Sequence, residues 1–326
     1  MNVLVTGAGG FLGREVVARL LDQGHHVRAM VRPFADVPEW PRSVDVVRAD
    51  LRVPPDLRPM LEDIECVIHL ASATSGNEDL QFSSTVGGTE KLIEALATSE
   101  VREIILISSL VVYDWEKAHK CLTEHSPLLA WPYDMGGYTI AKVWQERIFK
   151  RAAEAHGWDL RILRPGFIWG PQHTKLAGMG RSAGPLHFVF APRARLPLTH
   201  VSNCADCIVA VAADQTAKGE TFNVVDGDSV RTWRYAKEYV KRTGAKKMVI
   251  PVPYQLGLLA ARVASWLSRK MFGKSGKLPS LLTPQRYEAQ FKPIRFSTEK
   301  LRTLVGWTPP VDFAGCLKSS YAAESR

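Results

Sequence analysis

The chain has 326 residues, of which 46% are apolar and 23% charged, and its formal net charge is +9. These proportions are those of a globular protein with a large core, and they exclude a chain dominated by disorder. The positive charge favours anionic ligands, but the basic residues are spread along the chain in no nucleic-acid-binding pattern. We therefore expect no nucleic-acid partner.

The cysteines and the hydropathy of the chain limit further the classes of protein to which it can belong. The five cysteines are odd in number and scattered, which does not predict a disulfide framework. Cys204 and Cys207 form a CxxC without a second pair or a histidine at zinc spacing, so no metal is expected. No signal peptide precedes the first apolar run, and no run reaches the ~18–20 residues that span a bilayer. We expect a cytoplasmic protein.

The chain begins with a short apolar run that stops at Thr6 and enters a glycine-rich loop, TGAGGFLG, followed by apolar residues at helical spacing from Glu15 to Gln23. Glycines let the backbone approach a pyrophosphate closely, and the N-terminus of a helix supplies unpaired N–H donors. The pattern therefore predicts a dinucleotide-binding loop with GxxGxxG spacing. Its predicted cofactor contacts are Gly7, Gly10, Phe11, Leu12 and Gly13.

The second predicted strand, His26 to Val31, bears on which dinucleotide binds. A carboxylate at the end of this strand would bind the ribose 2′-hydroxyl, whereas an arginine accommodates a 2′-phosphate. No acid stands there, and Arg28 and Arg32 flank the strand end. NADP is therefore favoured over NAD, with Arg32 as a cofactor contact.

The third and fourth predicted strands, residues 44–48 and 66–72, provide further candidate cofactor contacts at their C-terminal ends. Asp50 either accepts a hydrogen bond from the adenine amine or caps the helix that follows it. Small residues at the C-terminal end of the fourth strand leave room for a cofactor to lie across it. The predicted contacts at these two strand ends are Asp50, Leu51, Leu70, Ala71 and Ser72.

A helix over residues 85–97, a fifth strand over 103–107, a helix over 138–156 and a sixth strand over 159–163 continue the alternation. Alternating strands and helices predict an α/β fold with a doubly wound parallel sheet, whose ligand lies beyond the carboxyl ends of the strands. Residues 115–137 are predicted to form an irregular loop over the site. Residues 172–198 are rich in Gly, Pro and Arg and are predicted to be a mobile binding segment.

Tyr138 and Lys142 are four residues apart on one predicted helix, so their side chains project from the same face. A free phenol is a poor base at neutral pH, and a neighbouring ammonium group is expected to lower its pKa. Ser109 stands at the tip of the fifth strand, where its hydroxyl would hold a substrate oxygen beside Tyr138. These three residues are the predicted catalytic group for a hydride transfer in which Tyr138 moves the proton.

Residues 254–272, YQLGLLAARVASWLSRKMF, predict a strongly apolar helix with Arg269 and Lys270 at its end. We interpret it as a lid packed over the substrate pocket. Contact with a membrane surface is the less favoured alternative.

Several motifs together resemble the extended branch of the short-chain dehydrogenase/reductase family, also called the NAD-dependent epimerase/dehydratase family. They are TGAGGFLG (6–13), HLAS (69–72), SSLVVY (108–113), YTIAK (138–142), LRPGFIWGP (163–171), LPLTHVSN (196–203) and GWTPPVDF (306–313). The resemblance implies a Rossmann domain over residues 1–170 and a smaller α/β substrate domain over 171–326, with 198–225 returning to the first domain. It also implies the catalytic roles of Ser109, Tyr138 and Lys142. Tyr138, Lys142 and Pro165 are expected to contact the cofactor as well, and the protein is expected to be a homodimer.

Departures from the family's motifs narrow the expected reaction. Leu110 and Val111 stand where sugar-nucleotide dehydratases carry an acid and a base, so dehydration is not expected. Phe167 replaces the asparagine of RPxNxYGP, and Thr85 replaces another frequent asparagine, which weakens the resemblance to nucleotide-sugar enzymes.

The strand VRAMVRP (27–33) resembles that of dihydroflavonol-reductase-like enzymes, and the 254–272 helix is similar to that of hydroxysteroid-dehydrogenase-like members. Leu110, Phe167 and Trp169 suit a largely apolar substrate. The sequence therefore favours an NAD(P)-dependent oxidoreductase acting on a ketone or alcohol of a small molecule. A sugar-nucleotide 4-epimerase with the same three catalytic residues is the alternative, and a non-enzymatic dinucleotide sensor is the third hypothesis.

Overall fold

The computed structural model describes residues 1–53, 56–227, 230–272 and 282–322. Its strands are β1 (Asn2–Thr6), β2 (His26–Val31), β3 (Asp45–Arg48), β4 (Cys66–His69), β5 (Glu103–Ile107), β6 (Cys121–Leu122), β7 (Asp159–Pro165), β8 (Phe167–Trp169), β9 (Arg181–Ala183), β10 (Leu186–Phe190), β11 (Leu198–His200), β12 (Thr221–Val224), β13 (Met248–Val252) and β14 (Arg295–Phe296). Its α-helices are α1 (Phe11–Asp22), α2 (Glu78–Phe82), α3 (Gly88–Leu96), α4 (Gly137–His156), α5 (Val201–Ala213), α6 (Thr232–Arg242), α7 (Tyr254–Phe272), α8 (Pro284–Phe291), α9 (Glu299–Leu304) and α10 (Phe313–Ala322).

Seven parallel strands form the main sheet in the order β12-β7-β5-β4-β1-β2-β3. The order reverses between β1 and β4, and doubly wound sheets bind ligands beyond the carboxyl ends of the strands at such a reversal. The predicted α/β fold with a doubly wound parallel sheet is confirmed. The division of the chain at residue 170 stays a prediction.

Helices cover both faces of this sheet because alternate side chains of each strand point to opposite sides. Val3 and Val5 of β1 pack in one cluster with residues of α1 and α5. Leu4, between them, packs on the other face in a cluster with residues of α3 and α4. The continuous apolar runs in the sequence follow from this burial on both faces.

The helix predicted over residues 85–97 begins earlier than the periodicity indicated. Asn77 caps α2 by accepting a hydrogen bond from the Leu80 N–H at 2.8 Å. A single π-helical turn, Ser83–Gly87, then joins α2 to α3. The residues of the π-helical turn are out of phase with the 3.6-residue repeat. The periodicity of the sequence therefore shows only the C-terminal part of this helical segment.

The prediction that residues 172–198 are a mobile segment is wrong. This segment contains β9 and β10, and β10 pairs antiparallel with β9 and parallel with β13. Val189 and Leu196 are buried in a cluster with residues of α6 and α10. Its Gly, Pro and Arg content obscured the alternation of buried and half-buried residues along β10.

The predicted loop over residues 115–137 is held by the C-terminal part of the chain. Its short strand β6 pairs in parallel with β14. The Arg286 guanidinium donates hydrogen bonds to the carbonyls of Asp134 and Met135, at 3.2 and 3.0 Å. These bonds fix the chain just before α4, which begins at Gly137 and ends at His156. Gly157 caps the end of α4 in the left-handed conformation, with φ +67°.

The helix predicted over residues 254–272 is confirmed as α7. Among the described residues, no helix has the combination of length and apolar content that crossing a bilayer requires.

Candidate active site

The glycine loop between β1 and α1 has the close backbone packing that a dinucleotide site needs. A Cβ on Gly13 would lie 2.6 Å from the Ala8 carbonyl oxygen, and one on Gly7, where φ is +71°, would lie 3.0 Å from the Ala71 nitrogen. The first turn of α1 has no side-chain cap and no acidic residue, so its N–H groups face the loop without a competing carboxylate. These residues fit a dinucleotide diphosphate.

A buried polar network lies directly behind this loop and joins β1, β4, α3 and α4. The Thr6 hydroxyl and His69 Nδ1 are 2.7 Å apart, and His69 Nε2 lies 3.1 Å from the Thr89 hydroxyl. The Gln145 amide donates to the same Thr89 oxygen at 2.9 Å. Thr6, His69, Thr89 and Gln145 are all buried, so each polar atom depends on these partners.

The partners in this network determine where the protons lie. The Thr89 hydroxyl donates its own proton to the Thr85 carbonyl at 2.6 Å, and His69 Nε2 lies 3.1 Å from both the Thr89 oxygen and the Gln145 amide nitrogen. On the other side of the ring, His69 Nδ1 is hydrogen-bonded to the Thr6 hydroxyl, which itself accepts from the Ala71 N–H at 3.3 Å. Burial, and to a lesser extent the charge of Lys142, lowers the pKa of His69 to about 3, which agrees with a neutral imidazole.

The Lys142 amine points into the same network. Its Nζ donates to the Ile107 carbonyl at 2.8 Å and to the Gln145 side-chain oxygen at 2.9 Å. Ile107 is the last residue of β5, two residues before Ser109, so this contact ties α4 to the strand end. Burial lowers the pKa of Lys142 to about 7, and the nearby Glu146 carboxylate opposes that shift.

Tyr138 and Ser109, two of the predicted catalytic residues, are brought together. The Ser109 side chain lies close enough to the Tyr138 phenol to lower its pKa, and the Ser109 hydroxyl accepts from the Val111 N–H at 3.4 Å. Burial raises the pKa of Tyr138, and the neighbouring Ser109 hydroxyl offsets this only in part. The expectation that Lys142 lowers the pKa of Tyr138 is therefore wrong for this structure, because the amine is bound to Ile107 and Gln145 instead.

A second buried network supports the other side of α4. Arg164 of β7 donates two hydrogen bonds to the Glu146 carboxylate, at 2.8 and 2.7 Å, and a third to the Tyr113 hydroxyl at 2.8 Å. Tyr113 in turn donates to the Asn223 side chain at 2.7 Å. Burial alone would raise the pKa of Glu146, but the Arg164 guanidinium holds it below its usual value. This network connects α4 to the strand that carries Pro165.

The two arginines near the end of β2 have different environments. Arg28 is held by Asp45 at 2.5 Å and by the carbonyls of Met60 and Glu62, so it is not available at the strand end. Arg32 is exposed just after β2. Arg48 of β3 donates to the Arg32 carbonyl at 3.3 Å and to two carbonyls further along this loop, and therefore shapes it.

Asp50 follows β3, and no helix begins directly after it, so the helix-capping interpretation is wrong. Its carboxylate accepts from the Arg52 N–H at 3.0 Å and forms an ion pair with the Arg52 guanidinium at 2.6 Å. The hydrogen bonds from Arg52 lower the pKa of Asp50, although burial opposes them. Leu51 is buried against Gly88 at the start of α3.

The three residues predicted to contact substrate lie at different depths. Phe167 is partly buried beside Gly178 and remains accessible. Leu110 is buried in a cluster that includes Val143 and Ile294. Trp169 is fully buried, with its ring against those of His200, Tyr235 and Phe313. Trp169 is thus a core residue in this structure instead of the predicted substrate contact, because its position on β8 turns its side chain into the cluster that contains residues of α6 and α10.

Cys204 and Cys207 lie on α5 and pack with the core beneath the main sheet. Burial raises the pKa of both thiols, which keeps them protonated at neutral pH.

A separate cavity of about 480 Å³ is strongly basic. Four cationic side chains line it together with apolar residues and one thiol. The lining residues are Lys120, Cys121, Arg193, Ala194, Arg195, Pro293, Ile294 and Arg295. Ile294 also belongs to the cluster that contains Leu110, which adjoins Ser109.

The model of the NAD-dependent epimerase/dehydratase family matches residues 3–225, about two thirds of the chain. The chain belongs to this family. The resemblance implied catalytic roles for Ser109, Tyr138 and Lys142, and these roles stay a prediction; the Lys142 amine reaches the end of β5, two residues before Ser109.

Two curated relatives of this family member are dehydrogenase or reductase enzymes. A 3 beta-hydroxysteroid dehydrogenase/Delta 5→4-isomerase from Mycobacterium tuberculosis is 27% identical, with 94% of this chain and 86% of the relative covered. A 4-hydroxy-2-methyl-3-oxo-4-farnesyl-3,4-dihydroquinoline-1-oxide ketoreductase from Stigmatella aurantiaca is 26% identical, with 83% and 82% covered. This family member is therefore an NAD(P)-dependent enzyme that catalyses hydride transfer.

A solved structure shows the same fold. The UDP-glucuronic acid 4-epimerase from Bacillus cereus, determined in complex with NAD, superposes with a TM-score of 0.73 at 18% identity. The superposition covers 99% of this chain and 98% of the epimerase.

The network behind the glycine loop was missed by the sequence reasoning. One signal was present for Gln145, which stands three residues after Lys142 and so shares its helix face. Another was His69, a polar residue that ends an otherwise apolar buried strand. Thr6 and Thr89 carry no comparable signal, because a threonine in a β–α fold has many structural uses.

Proposed function

We propose that the protein is an NADP-dependent reductase or dehydrogenase that interconverts a ketone and an alcohol on a largely apolar small molecule. The single observation that supports this best is the hydrogen bond from Lys142 Nζ to the Ile107 carbonyl at 2.8 Å, which holds the helix of Tyr138 and Lys142 against the end of β5, two residues before Ser109. In the main sheet β5 lies next to β4, and β4 lies next to β1, the strand that leads into the glycine loop.

In this proposal the dinucleotide supplies or accepts the hydride. The glycine loop, with Gly7, Gly10 and Gly13, holds its diphosphate, and Phe11, Leu12, Leu51 and the segment 70–72 complete its contacts together with Pro165. Ser109 orients the substrate oxygen, and Tyr138 gives a proton to that oxygen or takes one from it. Lys142 holds the end of β5 and contributes positive charge next to the dinucleotide site.

The raised pKa of Tyr138 favours proton donation to the substrate oxygen over proton removal from it. A phenol that stays protonated at neutral pH is suited to donate a proton to the oxygen formed when a ketone is reduced. Removal of a proton from an alcohol requires the phenolate, which needs Lys142 or another cation to stabilise it.

The preference for NADP is proposed from Arg32, which is exposed after β2 on a loop that Arg48 shapes. The proposal of an apolar substrate is supported by Phe167 and by the names of two relatives, which act on a hydroxysteroid and on a farnesyl-bearing ring. A homodimer, which the resemblance implies, and a cytoplasmic location are also retained as proposals.

A sugar-nucleotide 4-epimerase is the second candidate, and the basic cavity is the observation that favours it. Lys120, Arg193, Arg195 and Arg295 around one cavity would suit a diphosphate. In that case Arg195→Gln should weaken the binding of a uridine diphosphate sugar, whereas a reductase of an apolar ketone would be unaffected by it.

The decisive experiment begins with mass-spectrometric identification of the dinucleotide that co-purifies. A screen of carbonyl compounds follows, in which NADPH oxidation is monitored by absorbance. Tyr138→Phe should abolish turnover and leave dinucleotide affinity nearly unchanged, since it removes only the proton donor. Unchanged turnover would refute the catalytic assignment. Retention of a tightly bound NAD, with inversion of configuration at C4 of a nucleotide sugar, would favour the epimerase, and binding without any turnover would favour the sensor.

A further inference from the structure

The large apolar side chains of α7 point away from the protein. Six of them are exposed, and apart from the adjacent pair Trp266 and Leu267 they are spaced three or four residues apart along the helix, so they form one continuous face. The exposed fraction is 58% for Leu259 and 56% for Trp266. We call this the α7 face. It comprises Leu256, Leu259, Val263, Trp266, Leu267 and Met271.

The opposite side of α7, which packs on the protein, is made of smaller residues. Gly257 and Ala261 are buried there, and a Cβ on Gly257 would lie 2.6 Å from the Tyr287 ring. Two large residues of α7 belong to the cluster that α7 shares with α8, namely Leu258, which is buried, and Tyr254, which is partly buried at the start of the helix. A helix that merely covers a core would place its large apolar residues inward, so the pattern of α7 indicates a second surface outside the protein.

The charges on α7 indicate what that surface is. The helix contains Arg262, Arg269 and Lys270 and no acidic residue. The Lys270 ammonium lies 5.3 Å from the centre of the Trp266 ring, so a cation borders the apolar face directly. Arg262 and Arg269 are seven residues apart and therefore share one edge of the helix.

We propose that the α7 face lies on the surface of a lipid bilayer that carries anionic headgroups. Its leucines, Trp266 and Met271 would enter the boundary between headgroups and acyl chains, and the three cations would pair with the headgroups. α7 does not have the character of a membrane-crossing helix, so contact is in the plane of the surface.

A second copy of the chain is a poorer occupant. A two-fold interface through this face would bring the cations of two acid-free helices together without a carboxylate on α7 to neutralise them. Lipid headgroups supply the missing negative charge. This inference goes beyond the proposed reaction and does not depend on it.

The test is co-sedimentation of the full-length protein with vesicles. Wild type should bind vesicles of phosphatidylcholine with phosphatidylserine more strongly than vesicles of phosphatidylcholine alone, and added salt should weaken the binding. The double variant Leu259→Ser, Trp266→Ser should lose about tenfold or more in binding, because both apolar side chains are removed from the contact.

Matched control variants distinguish vesicle binding through the α7 face from non-specific binding of the protein to vesicles. Trp131 is 69% exposed outside α7, so Trp131→Ser should leave vesicle binding unchanged. Arg269→Gln with Lys270→Gln should reduce binding to the anionic vesicles about tenfold, whereas Lys117→Gln with Lys120→Gln should not. Circular dichroism and melting temperature check that each variant is folded, and Met271→Ser repeats the test on a separate side chain.

Three results would overturn the proposal. The first is that wild type binds neither kind of vesicle. The second is that the Leu259→Ser, Trp266→Ser variant binds as well as wild type does. The third is that the same variant abolishes a dimer seen by analytical ultracentrifugation while vesicle binding is absent, which would assign the α7 face to a second copy of the chain.

Discussion

The Lys142 amine donates a hydrogen bond to the Gln145 side-chain oxygen at 2.9 Å, although Tyr138 is on the same face of the helix. With the Ile107 carbonyl as its other acceptor, Lys142 spans from α4 to the end of β5. Its environment sets its pKa near 7, so a small change in the acceptors would change its charge at neutral pH.

We expect Gln145→Leu to lower the pKa of Lys142 further. The variant removes one of two oxygens that stabilise the ammonium, while burial continues to favour the neutral amine. Gln145→Glu should raise the pKa instead. The pKa is read by NMR titration of lysine-labelled protein, with Lys142→Met to assign the signal. The alkaline limb of kcat/KM should move with it.

Thr89→Val is the matched control for that prediction. It removes another part of the same network and leaves both acceptors of Lys142 in place. An equal pKa shift in Thr89→Val and Gln145→Leu would show that the packing of the network, and not the Gln145 oxygen, determines the charge of Lys142.

Arg164→Met should destabilise the protein by about 3–5 kcal/mol, because it leaves the Glu146 carboxylate buried without its main partner. The two side chains are only 2% and 4% exposed. Urea denaturation at neutral pH measures the loss. Arg242→Gln removes an exposed ion pair with Glu238 and should cost less than about 1 kcal/mol.

The same pair predicts an acid dependence of stability. The pKa of Glu146 is lowered in the folded protein, so its contribution is present above its unfolded value, about pH 4.3. It is lost as pH falls through the folded value. Glu146→Gln combined with Arg164→Met should have a flatter acid limb in urea denaturation. An acid limb identical to that of wild type would assign the acid sensitivity to other carboxylates.

Gly13→Ala should weaken dinucleotide binding and destabilise the fold by about 1–3 kcal/mol or more. The new Cβ would meet the Ala8 backbone at the junction of β1 and α1, so the helix would have to move. Gly87→Ala is the control, because its Cβ would enter open space at a φ of −60°. Calorimetric titration with NADP and thermal melting distinguish the two variants. Equal effects would mean that close packing at residue 13 is not what the loop requires.

Arg32→Gln should reduce the ratio of NADP to NAD affinity about tenfold, because a charged hydrogen bond to the 2′-phosphate is lost. Arg28→Gln should lower the stability of the protein, because the ion pair with Asp45 and the hydrogen bonds to two carbonyls are lost. It should leave the ratio of NADP to NAD affinity unchanged. Titration with both dinucleotides measures the ratio. A preference that stays the same in Arg32→Gln would remove the present basis for choosing NADP.

Much of the architecture could be predicted from the sequence, because the period of burial is a local property. The runs that form β1, β4 and β5 are apolar apart from their end residues, as expected for strands covered on both faces, and β2 is apolar apart from His26 and Arg28. The 3.6-residue repeat located α4 to within one residue at its start and α7 at both ends. The π-helical turn and the strands of residues 172–198 were missed where the local pattern was interrupted.

The sequence alone established that a glycine loop, a serine at a strand end and a Tyr-xxx-Lys helix occur in one doubly wound chain. It could not establish where each polar atom points, because the partners of Lys142 come from β5 and from its own helix, and those of His69 come from β1, α3 and α4. The burial of Trp169 and the exposure of the α7 face could not be predicted for the same reason, because an apolar residue gives the same sequence pattern whether it faces the core or the solvent. Only the packing of distant segments, which determines burial and hydrogen-bond partners together, decided these points.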